Sequence, residues 1–465
     1  MNKSLLVYIS FYFFIHTQIL YSQNYGQWSA AAPMHLGRIH AASIVLPNGN
    51  VLVTGGEIDS SISVTNTCEI FDVQNNTWHF VDSMNYPRFY HQLILIDSND
   101  VLAIGGYNQK SCEIYSIDKN EWTLTDSLKI MRNFGWTTTL LNDGQVIVVG
   151  GLAYSSDLKN TYYLNDVEIY NPNTKKWRQT DSLKIGRYGH TATLLHSGEL
   201  LVAGGAGKEC EIFNPSNEKW SIADSLNIER YQQSAVLLTN GNVLIAGGEN
   251  YNDPTNPWLN SCEDYNPTEN KWTVVTPMYF ARFDHSSILL FNGLILFTGG
   301  DHGNDTWELY DPDTFKNLYW AKYPVTQSAQ EIKLLNNGNI ISIGGFTWKD
   351  SSLPVLSATN MCEIYSTITG IIHFNSNIRS FNLFQNFPNP FNPTTRINYD
   401  INTPGNVKIV IYNTLGQKIK TLINQYTNTG THSIIFNGSS IPSGIYFYRL
   451  QSGSFISTKK MLLLK

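Results

Sequence analysis

At 465 residues, with 42% apolar and only 15% charged side chains, the chain is long enough for two or more domains and can bury large cores. Its 26 Tyr, 22 Phe, 11 Trp and 34 Gly lean towards β structure. A formal net charge of −6 offers no clustered basic face, which argues against nucleic acid as a partner.

The first segment, "MNKSLLVYISFYFFIHTQILYSQ", sets Lys3 ahead of an apolar run from Leu5 to Phe14, followed by Ser22 and Gln23. That order predicts a secretory signal peptide over residues 1–23. His16, Thr17 and Gln18 break the run well short of the ~20 apolar residues a membrane span needs. No later stretch is apolar enough to cross, so the mature chain is expected to have no transmembrane span and to leave the cytoplasm.

From there the chain repeats itself. Glycine pairs stand at Gly55-Gly56, Gly105-Gly106, Gly150-Gly151, Gly204-Gly205, Gly247-Gly248, Gly299-Gly300 and Gly344-Gly345, at intervals of 43 to 54 residues. Each unit runs in one order. An alternating strand ends in a turn such as "LLHSGE", and a second apolar strand closes on the glycine pair, as in "LLVAGG". A loop of variable length follows, then a third strand such as "CEIF", a polar turn, and a fourth strand led by Trp. Trp lies ten residues before Arg in Trp28–Arg38, Trp78–Arg88, Trp122–Arg132, Trp177–Arg187, Trp220–Arg230 and Trp272–Arg282. Tyr or Phe lies seven before Trp in Phe71–Trp78, Tyr115–Trp122, Tyr170–Trp177, Phe213–Trp220 and Tyr265–Trp272.

Four short antiparallel strands per period cannot hide both faces of one sheet from water, so the units must stack around an axis. Repeated in register over roughly residues 25–370, they resemble Kelch repeats. The resemblance implies an all-β fold, a seven-bladed Kelch-type β-propeller over residues 24–370. Two departures stand out: Asn317 replaces Trp and Gln327 replaces Arg in the sixth unit, and the seventh has no Trp after "CEIYSTITG". The strand around Trp28 has nothing before it, so it is expected to complete blade seven and remove the open edges; "IIHF" at 371–374 is the competing candidate.

The repeated polar residues read as structural. His91, Trp136, His190, Gln233, His285 and Gln330 share one register, and a position that accepts His, Trp and Gln is not a metal ligand set. The six arginines that follow Trp by ten residues pair naturally with the third-strand glutamates Glu69, Glu113, Glu168, Glu211, Glu263 and Glu308, one of each in most blades, leaving Glu363 over. The alternative is a ring of Arg38, Arg88, Arg132, Arg187, Arg230 and Arg282 that binds anions at the channel mouth. Cys68, Cys112, Cys210, Cys262 and Cys362 share one phase on different blades, too far apart to bridge, and are expected to be packed thiols.

Tyr90-His91 resembles the Tyr-His pair of galactose oxidase, whose copper-radical site needs two His, two Tyr and a Cys bonded to one tyrosine. No cysteine stands outside the repeat phase, so no catalytic residue, metal or cofactor is assigned. Ligand recognition is expected instead where the blades differ. The loops after the glycine pairs have lengths of 11, 5, 15, 4, 13, 6 and 16 residues, long and short in alternation, and all leave one end of the ring. Tyr154, Tyr162, Tyr163, Tyr251, Trp258 and Trp348 lie on the long ones among Asn, Asp and Ser, a composition suited to glycan or protein recognition. The bland reading is that these rings pin their loops to the blade rims.

Beyond a linker and lead-in at 371–384, residues 385–465 carry alternating strands, "VKIVIYN", "THSIIFN" and "GIYFYRLQ", with turns at "NTLGQK" and "IPSG", a small antiparallel sandwich. Pro388, Pro390 and Pro393 keep a regular central strand out of its opening stretch. With "FPNPFNP", "IYNTLGQKIKTL", "IPSGIYFYRL" and the final "KKMLLLK", it resembles the type A C-terminal sorting domain of type IX secretion. That resemblance implies passage through an outer membrane by the type IX machinery, then release or surface attachment. The expected protein is a non-catalytic propeller that binds glycan or protein, secreted or at the outer cell surface. The alternatives are a galactose-oxidase-like or other carbohydrate-active enzyme, and a structural surface component.

Overall fold

The computed structural model describes residues 25–464 apart from 59–62, 156–158, 301–305, 324–330, 349–355, 367–380, 387–388, 390, 392, 402, 428–429 and 454. The segment read as a signal peptide and the "IIHF" strand at 371–374 lie outside the described residues. Seven four-stranded antiparallel sheets account for the repeats. Blade four is typical: Thr191–Leu194, Leu200–Ala203, Cys210–Asn214 and Lys219–Ala223 pair in chain order. The first strands of successive blades are neighbours around the axis, and those of blades seven and one meet.

Gln27–Ala31 lies antiparallel to Cys362–Ser366, with Trp28 opposite Tyr365, and makes the outer strand of blade seven. The ring is thus closed by backbone hydrogen bonds between the two ends of the repeat array, which leaves no unpaired seam between its first and last blades. Trp28 also packs its ring 4.9 Å from that of Tyr323 in blade six.

The core is not one mass but a series of slabs between blades. Leu46, Leu52, Cys68 and Ile70 of blade one meet Val101, Ala103, Tyr115 and Trp122 of blade two, and the other junctions repeat the pattern. Each Leu, Ile or Val among them contributes about 1.5–3 kcal/mol on full burial, so neither face of a sheet is stable without its neighbour. The regularly spaced aromatics explain themselves here. Tyr115 packs tilted against Trp122 with ring centroids 5.0 Å apart, and Trp122 Nε1 donates to Asp82 O of blade one at 3.1 Å. Blade six breaks this pattern where Asn317 stands opposite Tyr310, and its outer pairing shifts register between Leu309 and Tyr310.

The glycine pair is needed for backbone geometry. Gly150 and Gly151 have φ of +59° and +108°, and a Cβ on Gly150 would lie 2.7 Å from Arg187 O of the next connection. The five thiols are free and buried at the blade junctions. His91, His190 and His285 reach across junctions to Thr54, Thr137 and Ser234 hydroxyls at 2.7, 3.0 and 2.8 Å. Burial and the neighbouring arginines hold His91 and His285 down to about 3, so these rings are neutral hydrogen-bonding spacers.

After the ring comes a two-sheet module. Asn382–Leu383, Thr394–Ile401 and Gly430–Asn437 form one sheet; Lys418–Thr427, Gly405–Asn413, Gly444–Ser452 and Phe455–Leu463 form the other. Ile397, Ile409, Tyr448, Met461 and Phe391 fill the space between them. Among the described residues no helix is long and apolar enough to cross a membrane.

Candidate ligand-binding face

Because the strands of each blade alternate in direction, the loop from second to third strand and the connection to the next blade emerge at the same end. One buried arginine organises both at each of six junctions. Arg38 Nη1 donates to Gly55 O and Thr67 O, at 2.7 and 2.9 Å, the residues that flank the loop of blade one. Arg230 does the same for blade five, reaching Gly247 O at 2.7 Å and Ser261 O at 3.1 Å. The second Nη of each arginine pairs with the third-strand glutamate: Arg38–Glu69, Arg88–Glu113, Arg132–Glu168, Arg187–Glu211, Arg230–Glu263 and Arg282–Glu308, at 2.7–3.1 Å. The carboxylates accept backbone N–H groups from the connection as well, for example from Asn227 and Ile228 to Glu263.

This geometry corrects the anion-ring alternative. All six arginines are buried and their Nη donors are spent on loop carbonyls and glutamates, so they present no open cationic ring. Their planar fork suits the task, since it can hold two carbonyls and a carboxylate at once. The consequence is functional. With both stems of a loop fixed by one side chain, the loop between them is free to differ in length and content from blade to blade.

Junction six–seven departs. Gln327, which holds the arginine's place, lies outside the described residues, and Glu363 is 2% exposed with no partner for its Oε2 among the described residues. Burial pushes its carboxyl up to about 7.

Above the clamps runs an arc of aromatic rings. His40 stacks on Tyr90 at 4.0 Å, Tyr90 lies 5.9 Å from Phe134, Phe134 lies 5.9 Å from Tyr188, and Tyr188 lies 5.4 Å from Tyr231. Backbone bonds between adjacent blades run beneath it: Tyr90 N to His40 O, Gly189 N to Gly135 O, Gln232 N to Gly189 O and Asp284 N to Gln232 O, at 2.7–3.1 Å. These residues adopt φ near +50° to +70°. The arc rings follow one of the six arginines by one or two residues, as in Arg187-Tyr188 and Arg230-Tyr231. That spacing is visible in the sequence, but only the folded ring brings these rings side by side.

The sequence-derived loop aromatics are placed around this arc. Tyr163, on a ribbon in which Leu152–Tyr154 pairs with Thr161–Tyr163, lies 4.7 Å from Tyr188. Tyr154 of the same ribbon is half-buried, 6.4 Å from Tyr107, while Tyr162 is exposed. Tyr251 lies 4.8 Å from Tyr231, and Trp258 stacks 6.3 Å from Phe283. The backbone of Trp348 pairs with Leu356, and its side chain is outside the described residues.

The electrostatics of the arc are acidic around blades four and five. Tyr188 Oη donates to Tyr251 Oη at 3.2 Å, and Tyr251 Oη donates to Glu249 Oε2 at 2.8 Å. Burial, with Glu249 and Tyr188 beside it, holds the Tyr251 hydroxyl protonated; burial and Glu229 do the same for Tyr231. At the other end, His40 Nδ1 lies 2.7 Å from Glu57 Oε2 and its Nε2 lies 2.9 Å from Tyr90 Oη.

A copper-radical set does not fit these residues. His91, next to Tyr90 in sequence, is buried on Thr54, and every thiol is free, buried and turned to a main-chain carbonyl two residues before it, at 3.6–3.8 Å. Among the described residues no three His, Cys, Asp or Glu side chains gather where they could hold a metal ion.

Closed seven-sheet architecture, glycine pairs and Trp–Arg spacing together define a Kelch-type β-propeller. Residues 14–211 match the Attractin/LZTR1 beta-propeller family and residues 230–279 match the Kelch motif. The chain joins that propeller to a sorting tail, since residues 385–464 match the secretion system C-terminal sorting domain. It is therefore secreted or attached at the outer cell surface. A fungal alcohol oxidase of the AA5 family, solved in complex with copper, has a similar fold at a TM-score of 0.64 and 14% identity, over 95% of this chain and 100% of that one. No curated protein matches the chain.

Proposed function

We propose that the protein is a binding module rather than a catalyst, and that it holds a glycan or surface protein on the long-loop end of its propeller. One observation carries this: exposed tyrosines ride on loops whose stems are locked by buried arginines. Such an arrangement presents stacking surface at low entropic cost on a rigid support. The test is a glycan array and a panel of purified surface proteins probed with the full chain, beside the chain carrying Tyr163→Ala and Tyr251→Ala. Binding that the double substitution removes supports the reading. Stoichiometric copper with peroxide release from galactosides would replace it with the oxidase reading.

A further inference from the structure

The loops of blades three and five, 15 and 13 residues long, flank the shortest loop of the ring, the four residues 206–209 of blade four. They converge over it. Tyr163 comes from the blade-three loop and Tyr251 from the blade-five loop, yet both touch Tyr188, which leads into blade four. Tyr163 and Tyr251 are 50% and 51% exposed, whereas Tyr188 and Tyr231 beneath them are 9% and 8% exposed. The result is a platform with two ring faces open to solvent and two rings supporting them from below.

Two carboxylates border the platform. Glu249 is held by the Tyr251 hydroxyl, and Glu229 accepts from Asn252 and lies beside Tyr231. Among the described residues neither forms an ion pair, and Lys208 on the short loop reaches neither. Burial first, and then the neighbouring carboxylates Glu229 and Glu249 and the phenols around them, keep the Tyr231 and Tyr251 hydroxyls protonated. Electron-rich ring faces beside uncompensated negative charge attract a cation, and the flat exposed rings suit the C–H face of a pyranose.

Resting on the binding-module reading above, we infer that this platform over blade four recognises a sugar carrying a free ammonium group, with the ring face on Tyr163 and Tyr251 and the charge on Glu249 and Glu229. An acidic sugar is disfavoured here by the same two carboxylates.

The test is calorimetric titration of the full chain with a glucosamine hexamer and with the same hexamer N-acetylated, in mildly acidic buffer where the free amines are charged. The expected result is roughly tenfold tighter binding of the free-amine form, weakening as salt rises. The preference should vanish with Glu249→Gln plus Glu229→Gln, while melting temperature is unchanged. Equal binding of both hexamers, or a preference that survives the double substitution, overturns the inference while carbohydrate recognition stands. If neither hexamer binds, the inference fails as well, and the array and protein panel alone decide the broader reading.

Discussion

Arg132 Nη2 lies 3.1 Å from Glu168 Oε1 with both side chains out of solvent, and the same arginine holds Gly150 O and Asp166 O at the two ends of the 15-residue loop of blade three. Removing one member of a buried pair strands the other, so Arg132→Leu is expected to cost about 3–5 kcal/mol. Adding Glu168→Leu should recover only part, because the two loop carbonyls still lack their donor. Urea unfolding of the two variants measures this, and proteolysis within 152–166 should accelerate in both.

Glu363 makes the opposite prediction. Its folded carboxyl is raised from the ordinary 4.5 to about 7, so between those values the folded state holds a proton that the unfolded state has lost. Stability from this group is therefore full below about pH 4.5, falls as pH rises towards 7, and is flat above, a loss on the order of 3 kcal/mol. Glu363→Gln should flatten the dependence and raise the melting temperature at pH 8. Thermal melts across that range compare the two, and parallel curves would refute the assignment.

The cysteines should be silent. Burial pushes the Cys68 thiol up to about 12 and Cys112 up to about 11. Alkylation at mildly alkaline pH is expected to leave the five thiols of the folded chain unmodified and to label all of them in denaturant, as mass spectrometry counts directly.

Ring closure depends on Trp28, whose indole packs 4.9 Å from Tyr323 and 5.4 Å from Tyr365. Trp28→Ala opens a large cavity at the junction of blades six and seven and is expected to cost about 3–5 kcal/mol. Deleting residues 25–31 should do more, exposing the free edge of Cys362–Ser366 and promoting self-association, visible by sizing chromatography.

Tyr188 and Tyr163 separate support from recognition. Tyr188→Ala removes a buried ring that Phe134, Tyr163 and Tyr231 pack against, along with its hydroxyl bond to Tyr251, and should lower stability by about 3 kcal/mol. Tyr163→Ala sits on an exposed loop and should shift stability by about 0.5 kcal/mol or less while abolishing ligand binding. Paired melts and binding isotherms test the contrast.

Much of the fold was legible because a repeat states its structure seven times over. The glycine pairs require left-handed backbone wherever they occur, and the Tyr–Trp spacing puts the two rings opposite one another across adjacent strands, as Tyr170 and Trp177 show at 5.1 Å. The Arg–Glu pairing was legible as a count of one in each of six units. What it did could not be read: each arginine lies beyond the fourth strand of one blade and clamps the loop of the next.

Local periodicity and spacing alone were enough to determine the β units, their number and the apolar phase of the cysteines, since these follow from alternation along a strand and turn chemistry between strands. The inward turn of six arginines, and the lean of two long loops across a short one that sets Tyr163 and Tyr251 over Tyr188, are written in no single unit. Those outcomes depend on how neighbouring sheets stack around the axis, and residues 63 positions apart, such as Tyr188 and Tyr251, meet only once that stacking exists.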